Sequence, residues 1–169
     1  MLRRLFFTMA TIALAAVAMA GVGGTAAAAA PETGAQPVSA LVSGYQIRNW
    51  NGLCMDLGSN APGTVVKVTH CDDNLTSQNW GWGGNGYHIV NWNYLCMDLR
   101  SNTAGAPVVM ADCQPGYNSQ AWAVTAWVDG QIYNSNGRCM DLGSNAPGTT
   151  VVMALCEPTY TSQKWTWVG

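Results

Sequence analysis

The sequence predicts an all-β chain: a β-trefoil of three pseudo-three-fold repeats, each with one internal disulfide. Three observations carry that expectation. The stretch Cys-Met-Asp-Leu-Gly-Ser-Asn-Ala-Pro-Gly-Thr at Cys54–Thr64 returns letter for letter at Cys139–Thr149, and a variant of it runs from Cys96 to Ala106. Each copy leads to a second cysteine 17 positions after the first (Cys71, Cys113, Cys156) and then to Gln-x-Trp, at Gln78/Trp80, Gln120/Trp122 and Gln163/Trp165. These landmarks recur at offsets of 42 and then 43 residues, and a period near 40 marks a repeat architecture. Between them, short strand signals arrive every eight to twelve residues, with no amphipathic helix.

The chain opens with Arg3 and Arg4, an apolar run from Leu5 to Ala20 and small residues through Ala30. This pattern is expected of a secretory signal peptide over residues 1–30, cleaved near 28–30, and it places the mature protein outside the cell. The partial match after the arginine pair favours general secretion over twin-arginine export. Residues 31–43 carry two prolines and no sustained period, so they read as a linker or tail. The rest, 44–169, is one domain by length, with repeats of about 44–84, 85–128 and 129–169.

Within each repeat the same four strands are expected. The first contains Tyr45-Gln46-Ile47, Tyr87-His88-Ile89 or Gly130-Gln131-Ile132, each followed by an Asn-rich turn. Asn51-Gly52 and Asn136-Gly137 are hairpin dipeptides, and the middle copy has Asn93-Tyr94 there. The second strand carries the first cysteine. The third alternates, with Val66 and Val68, Val108 and Met110, or Val151 and Met153 on its apolar face. A fourth follows each Gln-x-Trp, where Trp82, Val124 and Trp167 align. A single repeat cannot bury its apolar face, so Trp80, Trp122 and Trp165 are expected to meet around the pseudo-three-fold axis. The glutamines two residues earlier are expected to satisfy backbone groups of a tight loop.

All six cysteines fall in the repeats, an even number in an exported chain. Only Cys54–Cys71, Cys96–Cys113 and Cys139–Cys156 pair within repeats and treat the three copies alike. Zinc is a poor alternative, with two histidines, His70 and His88, and no close Cys-x-x-Cys, so no metal or other cofactor is expected. No nucleophile–base pair or phosphate-cradling glycine loop surrounds either histidine, which argues against an enzyme. Each histidine, unmatched in the other copies, reads as a solvated substitution. Without Arg3 and Arg4, five basic residues face nine acidic ones, which excludes nucleic acid and, after leader cleavage, membrane as partners. A monomer is expected.

Three copies of Cys-x-Asp-Leu, an alternating strand before a second cysteine, and Gln-x-Trp resemble the ricin B-type (R-type) lectins and the related carbohydrate-binding modules of secreted glycosidases. The resemblance runs from about Gly44 to Gly169 and implies a sugar-binding β-trefoil. It makes Asp56, Asp98 and Asp141 the carbohydrate-binding carboxylates, each able to accept hydrogen bonds from adjacent sugar hydroxyls. The alternative from position alone is that these aspartates cap the following turn.

The chain departs from the family pattern in every repeat. Where members place Trp or Tyr two residues before the second cysteine, it has Thr69, Ala111 and Ala154; where they place Asn before the Gln of Gln-x-Trp, it has Ser77, Ser119 and Ser162. Tyr117 and Tyr160, four residues after the second cysteine, are candidate replacements for the stacking ring, with Leu75 in repeat 1. Repeat 1 is therefore expected to be the weakest site. Trp50 and Trp92 in the first turns, with Ser135 as their counterpart, either face a ligand or partner or pack on a neighbouring loop. The function expected is binding of a polysaccharide or surface glycan without modifying it. The alternative is a protein-interaction module, an inhibitor or targeting subunit that binds another secreted protein.

Overall fold

A computed structural model describes residues 44–169. The expected leader (1–30) and linker (31–43) lie outside these residues. Twelve strands follow one another: β1 (Gln46–Asn49), β2 (Leu53–Leu57), β3 (Val66–His70), β4 (Trp80–Gly83), β5 (His88–Asn91), β6 (Leu95–Asp98), β7 (Val109–Asp112), β8 (Trp122–Val124), β9 (Ile132–Asn134), β10 (Arg138–Leu142), β11 (Val151–Leu155) and β12 (Trp165–Val168). Each fourth strand begins at the tryptophan of Gln-x-Trp. A single 3-10 turn precedes it, at Thr76–Gln78, Asn118–Gln120 and Thr161–Gln163.

The strands form three antiparallel sheets, ordered β12-β1-β2-β3, β4-β5-β6-β7 and β8-β9-β10-β11. Each sheet thus takes its first strand from the preceding repeat, and β12 pairs with β1 from Gln46↔Val168 to Asn49↔Trp165. Six strands close into a ring. The pairs β12-β1, β4-β5 and β8-β9 are joined by short contacts between the first and fourth strands of each repeat. Trp80 N and Tyr45 O are 2.8 Å apart, Trp122 N and Tyr87 O 2.8 Å, and Trp165 N and Gly130 O 2.8 Å. Closure leaves no open sheet edge in the ring.

The hairpins β2-β3, β6-β7 and β10-β11 interlock on one end of that ring. Gly63 N donates to Met110 O (2.7 Å), Gly105 N to Met153 O (2.8 Å) and Gly148 N to Val68 O (2.7 Å), so each hairpin loop grips the next repeat in a cycle. These glycines hold φ of +82° to +90°, a conformation that a β-carbon disfavours. This is the architecture of a β-trefoil.

The disulfides are Cys54–Cys71, Cys96–Cys113 and Cys139–Cys156, as the repeat symmetry requires, and all six cysteines are paired. Each spans 17 positions, a loop whose closure stabilises by about 3 kcal/mol in the chain-entropy account.

The alternating pairs Val66/Val68, Val108/Met110 and Val151/Met153 are buried, as are Trp80, Trp122 and Trp165. These tryptophans share one core cluster but do not meet ring to ring: no aromatic contact among the described residues joins two of them. Each indole instead turns into its own repeat. Nε1–H donates to the carbonyl of Met55 (3.1 Å), Met97 (2.9 Å) or Met140 (3.3 Å), and the tryptophans share the core with methionines, valines, isoleucines and leucines. A buried indole N–H needs an acceptor, and a carbonyl of the cysteine strand is the one that recurs.

Of the three first turns, two place glycine at positive φ (Gly52, +75°; Gly137, +77°), and the middle one forces Tyr94 to +60°. Two stability changes of opposite sign are expected. Trp80→Ala costs about 3–5 kcal/mol by leaving a cavity, whereas Tyr94→Gly gains about 1 kcal/mol by relieving the left-handed conformation. Urea unfolding of the disulfide-intact protein checks both.

Candidate carbohydrate site

The aspartates follow the methionines pinned by the core tryptophans. Asp56 lies on β2 opposite Lys67, Asp98 on β6 opposite Val109, and Asp141 on β10 opposite Val152. Strand alternation turns the methionine into the core and the aspartate to the other face. Asp98 is buried, and Asp56 and Asp141 are half-buried.

Each carboxylate is held by the glutamine of Gln-x-Trp, 22 residues later. Gln78 Nε2 donates to Asp56 Oδ2 at 3.0 Å, Gln120 Nε2 to Asp98 Oδ2 at 2.7 Å, and Gln163 Nε2 to Asp141 Oδ2 at 2.8 Å. The same amide serves the loop after the second cysteine. Its oxygen accepts from the backbone N–H of Asp72 (2.9 Å), Gln114 (2.7 Å) or Glu157 (2.8 Å), and its nitrogen also donates to the carbonyl of His70, Asp112 or Leu155. The service to the loop backbone was legible in the sequence. The grip on the aspartate was not, although its constant 22-residue offset from Cys-x-Asp was the available signal.

Repeat 1 adds a hydroxyl. Thr69, where the family has its aromatic residue, donates Oγ1–H to Asp56 Oδ2 at 2.7 Å; Ala111 and Ala154 have nothing to donate. Burial alone would raise the Asp56 pKa. Hydrogen bonds from Gln78, Thr69, Ser77 and the Leu57 backbone outweigh it and leave the pKa below the ordinary 3.8.

A cleft of about 750 Å³ opens at this repeat, lined by Asp56, Thr69, His70, Asp72 and Leu75 and by Arg48 from β1. Arg48, which the sequence reading passed over, has Val90 and Tyr133 as counterparts. Its Nε and one terminal nitrogen donate to Gln46 Oε1 (3.1 and 2.7 Å), and that terminal nitrogen lies 4.0 Å from exposed Asp73. The repeat expected to be weakest thus offers a shaped concavity in place of a loop ring.

Tyr117 and Tyr160 each precede a 3-10 turn and are exposed (57 % and 55 %), as is Leu75. Trp50 (61 %) and Trp92 (53 %) are exposed too, so packing on a neighbouring loop does not bury them. His70 is exposed on the cleft. His88 departs from the solvated position expected: it is buried at the place taken by Gln46 and Gln131 in the other repeats, its Nδ1 has no partner, and burial pushes its pKa below the usual imidazole value. Its ring lies within 4.8 Å of Cys96 and Cys113 sulfur, but those sulfurs are bonded to each other and offer no thiolate to a metal.

Each repeat of the β-trefoil thus carries one tethered carboxylate, and the loop position before its 3-10 turn is held by exposed Leu75, Tyr117 or Tyr160. The model of the ricin-type β-trefoil lectin domain matches residues 32–122 and 88–168, and the chain belongs to that family. Curated protein sequences offer no match. Among solved structures, the designed three-fold symmetric protein ThreeFoil is 20 % identical with a TM-score of 0.66, over 74 % of this chain and 97 % of that one. The agglutinin from Abrus precatorius is 24 % identical with a TM-score of 0.61, over 74 % of this chain and 46 % of that one. The C-half of an earthworm R-type lectin, solved with GalNAc, is 15 % identical with a TM-score of 0.61, over 73 % and 96 %. At these identities the likeness is one of fold.

The tether predicts a titration. In the folded protein the Asp56 pKa lies below the unfolded value, so the ionised group stabilises the fold above about pH 4, and this contribution is lost as pH falls through the lowered value. Thr69→Ala removes one of the hydrogen bonds and is expected to move the Asp56 carboxyl titration upward, read from its ¹³Cγ shift. An unmoved titration would mean that the hydroxyl does not act on the carboxylate.

Proposed function

We propose that the chain is a secreted, non-catalytic carbohydrate-binding module acting as a monomer. Asp56, Asp98 and Asp141 accept hydrogen bonds from sugar hydroxyls, and Tyr117 and Tyr160 offer rings to the apolar face of the sugar. The observation that carries this reading is the repeated tether: one amide fixes the same carboxylate oxygen in all three repeats. A fixed acceptor loses little freedom on meeting a hydroxyl, which favours binding. The N-terminal leader supports export, and family membership supports a glycan as partner, with no cofactor required. Galactose-, xylose- or rhamnose-containing extracellular or cell-surface glycans are the ligand class. In this reading the glycan is held and not cleaved, as the family membership supports.

A second reading, a protein-interaction surface, is favoured by one feature. Trp127 and Val128 are exposed at a cluster in which Trp127 meets Tyr45, Trp82 and Trp167 at ring separations of 5.6–6.4 Å. Exposed aromatic patches of this kind mark partner contacts in other proteins.

Single sites of this sort bind near millimolar, about 4 kcal/mol, and retention on a polysaccharide comes from two or more sites engaging one chain. Replacing Asp56, Asp98 and Asp141 together by alanine is expected to abolish sugar-eluted retention on immobilised galactan and xylan. The Asp98 and Asp141 changes each remove a charge-assisted hydrogen bond and cost about 1.5–3 kcal/mol of stability, and the Asp56 change, which also loses the Thr69 bond, costs somewhat more. Undiminished retention by the triple variant would refute the carboxylate sites. Capture of a secreted protein by the wild type, with no retention on either resin, would favour the second reading.

A further inference from the structure

Trp92 belongs to the turn of repeat 2, but the strand register carries that turn across to repeat 1. Asn134 faces Trp122, Asn91 faces Trp80 and Asn49 faces Trp165, so each first turn leaves its strand beside the Gln-x-Trp segment of the preceding repeat. In repeat 3 the contacts are explicit. Ser135 N donates to Ala121 O (2.9 Å), Asn134 Nδ2 to Ser119 O (3.0 Å) and Ser135 Oγ to Asn118 O (2.8 Å), the residue just after Tyr117. Ser135 is the counterpart of Trp92 and Trp50. The strand register alone carries Trp92 toward Asn79, after the Thr76–Gln78 turn, and Trp50 toward Lys164, after the Thr161–Gln163 turn; among the described residues the Ser135 hydrogen bonds have no equivalent there, and Asn91 Nδ2, the counterpart of Asn134 Nδ2, has no partner.

At two of the three pairs of neighbouring positions the occupants are complementary. Tyr117 has Ser135 next to it. Leu75, the one loop position without a ring, has Trp92. The Leu75 side chain lines the 750 Å³ cleft that also holds the Asp56 carboxylate and the Arg48 guanidinium. Over half of the Trp92 surface is open to solvent, and its turn neighbours Asn91 and Asn93 are polar and uncharged. Trp92 is not itself among the residues lining the cleft, but it is an exposed indole on the turn that the register carries toward it, and such a face is what the apolar side of a pyranose ring requires.

We propose that Trp92, supplied by the following repeat, is the stacking residue of the repeat-1 site, so that site 1 is built across the boundary between two repeats. This inference rests on the carbohydrate-binding reading and names the ring that reading lacked at repeat 1. It makes repeat 1 a working site with a ring, a carboxylate and a guanidinium around one cleft. By the same register, Trp50 adds a second ring to the site of repeat 3.

The test uses the disulfide-intact mature protein, ¹⁵N-labelled and titrated separately with lactose and with xylotetraose to tens of millimolar. With either sugar, the Trp92 indole N–H resonance is expected to shift along the same saturation curve as the amides of Asp56 and Thr69. Trp92→Ala, which leaves the melting temperature unchanged because the ring is exposed, is expected to weaken that curve about tenfold. In a double-mutant cycle Trp92→Ala and Asp56→Ala are non-additive, while Trp92→Ala and Asp98→Ala act independently. Three results would overturn the assignment and leave the lectin reading standing: repeat 1 shifting with Trp92 silent, repeat 1 silent while repeats 2 and 3 shift, or Trp92 coupled to Asp98. No shift anywhere with either sugar would remove the carbohydrate reading for these ligands, and the assignment with it.

Discussion

One side-chain amide per repeat ties the fold to the site. Gln78, Gln120 and Gln163 are buried, and each divides its two ends between a loop backbone and the aspartate on the cysteine strand. A buried primary amide left unpaired costs about 1–3 kcal/mol. The loop and the aspartate therefore have to stand where that amide can reach both. Two residues on, the indole of Gln-x-Trp fixes the carbonyl just before the aspartate. Packing and polar satisfaction thus act through one tripeptide, and the carboxylate is oriented as a consequence of how the core closes.

The disulfide holds the third side of the same unit. It joins the strand residue two before each aspartate to the residue that opens the loop, with Cα atoms 5.0 Å apart in all three copies. Amide, indole and disulfide restrain a short strand and a short loop from three directions. That redundancy explains how the flanking positions can drift between copies, from Thr69 to Ala111 and Ala154, or from Leu75 to Tyr117 and Tyr160, while the geometry around the aspartate persists.

Much of this was legible in the sequence because it is local or repeated. The period announced three units, the cysteine offsets implied the pairings, and the alternating valines and methionines marked the inward face of β3, β7 and β11. Even the irregular first turn was visible, since Tyr94 stands where the other copies have glycine and adopts the glycine conformation. What was not legible depends on which strands become neighbours. The tryptophans were expected to meet at the axis, but a buried indole N–H must find an acceptor, and the nearest repeating one lies in its own repeat. His88 was expected in solvent, but its strand position is one that the fold buries in every copy. The placement of Trp50 and Trp92 follows from pairing β1 with β12 and β5 with β4, contacts between repeats that no single copy of the motif encodes.

The central claim is that the tethered carboxylates are the atoms that meet the ligand. The most direct measurement is the ¹³Cγ shift of every aspartate as an oligosaccharide drawn from a retaining polysaccharide is added at neutral pH. The account predicts that among Asp56, Asp98 and Asp141 the carboxyl resonances move with saturation, while exposed Asp129, whose partner is the Thr166 hydroxyl and not a glutamine amide, stays fixed. Saturable shifts elsewhere on the surface with all three tethered carboxyls unmoved would contradict it.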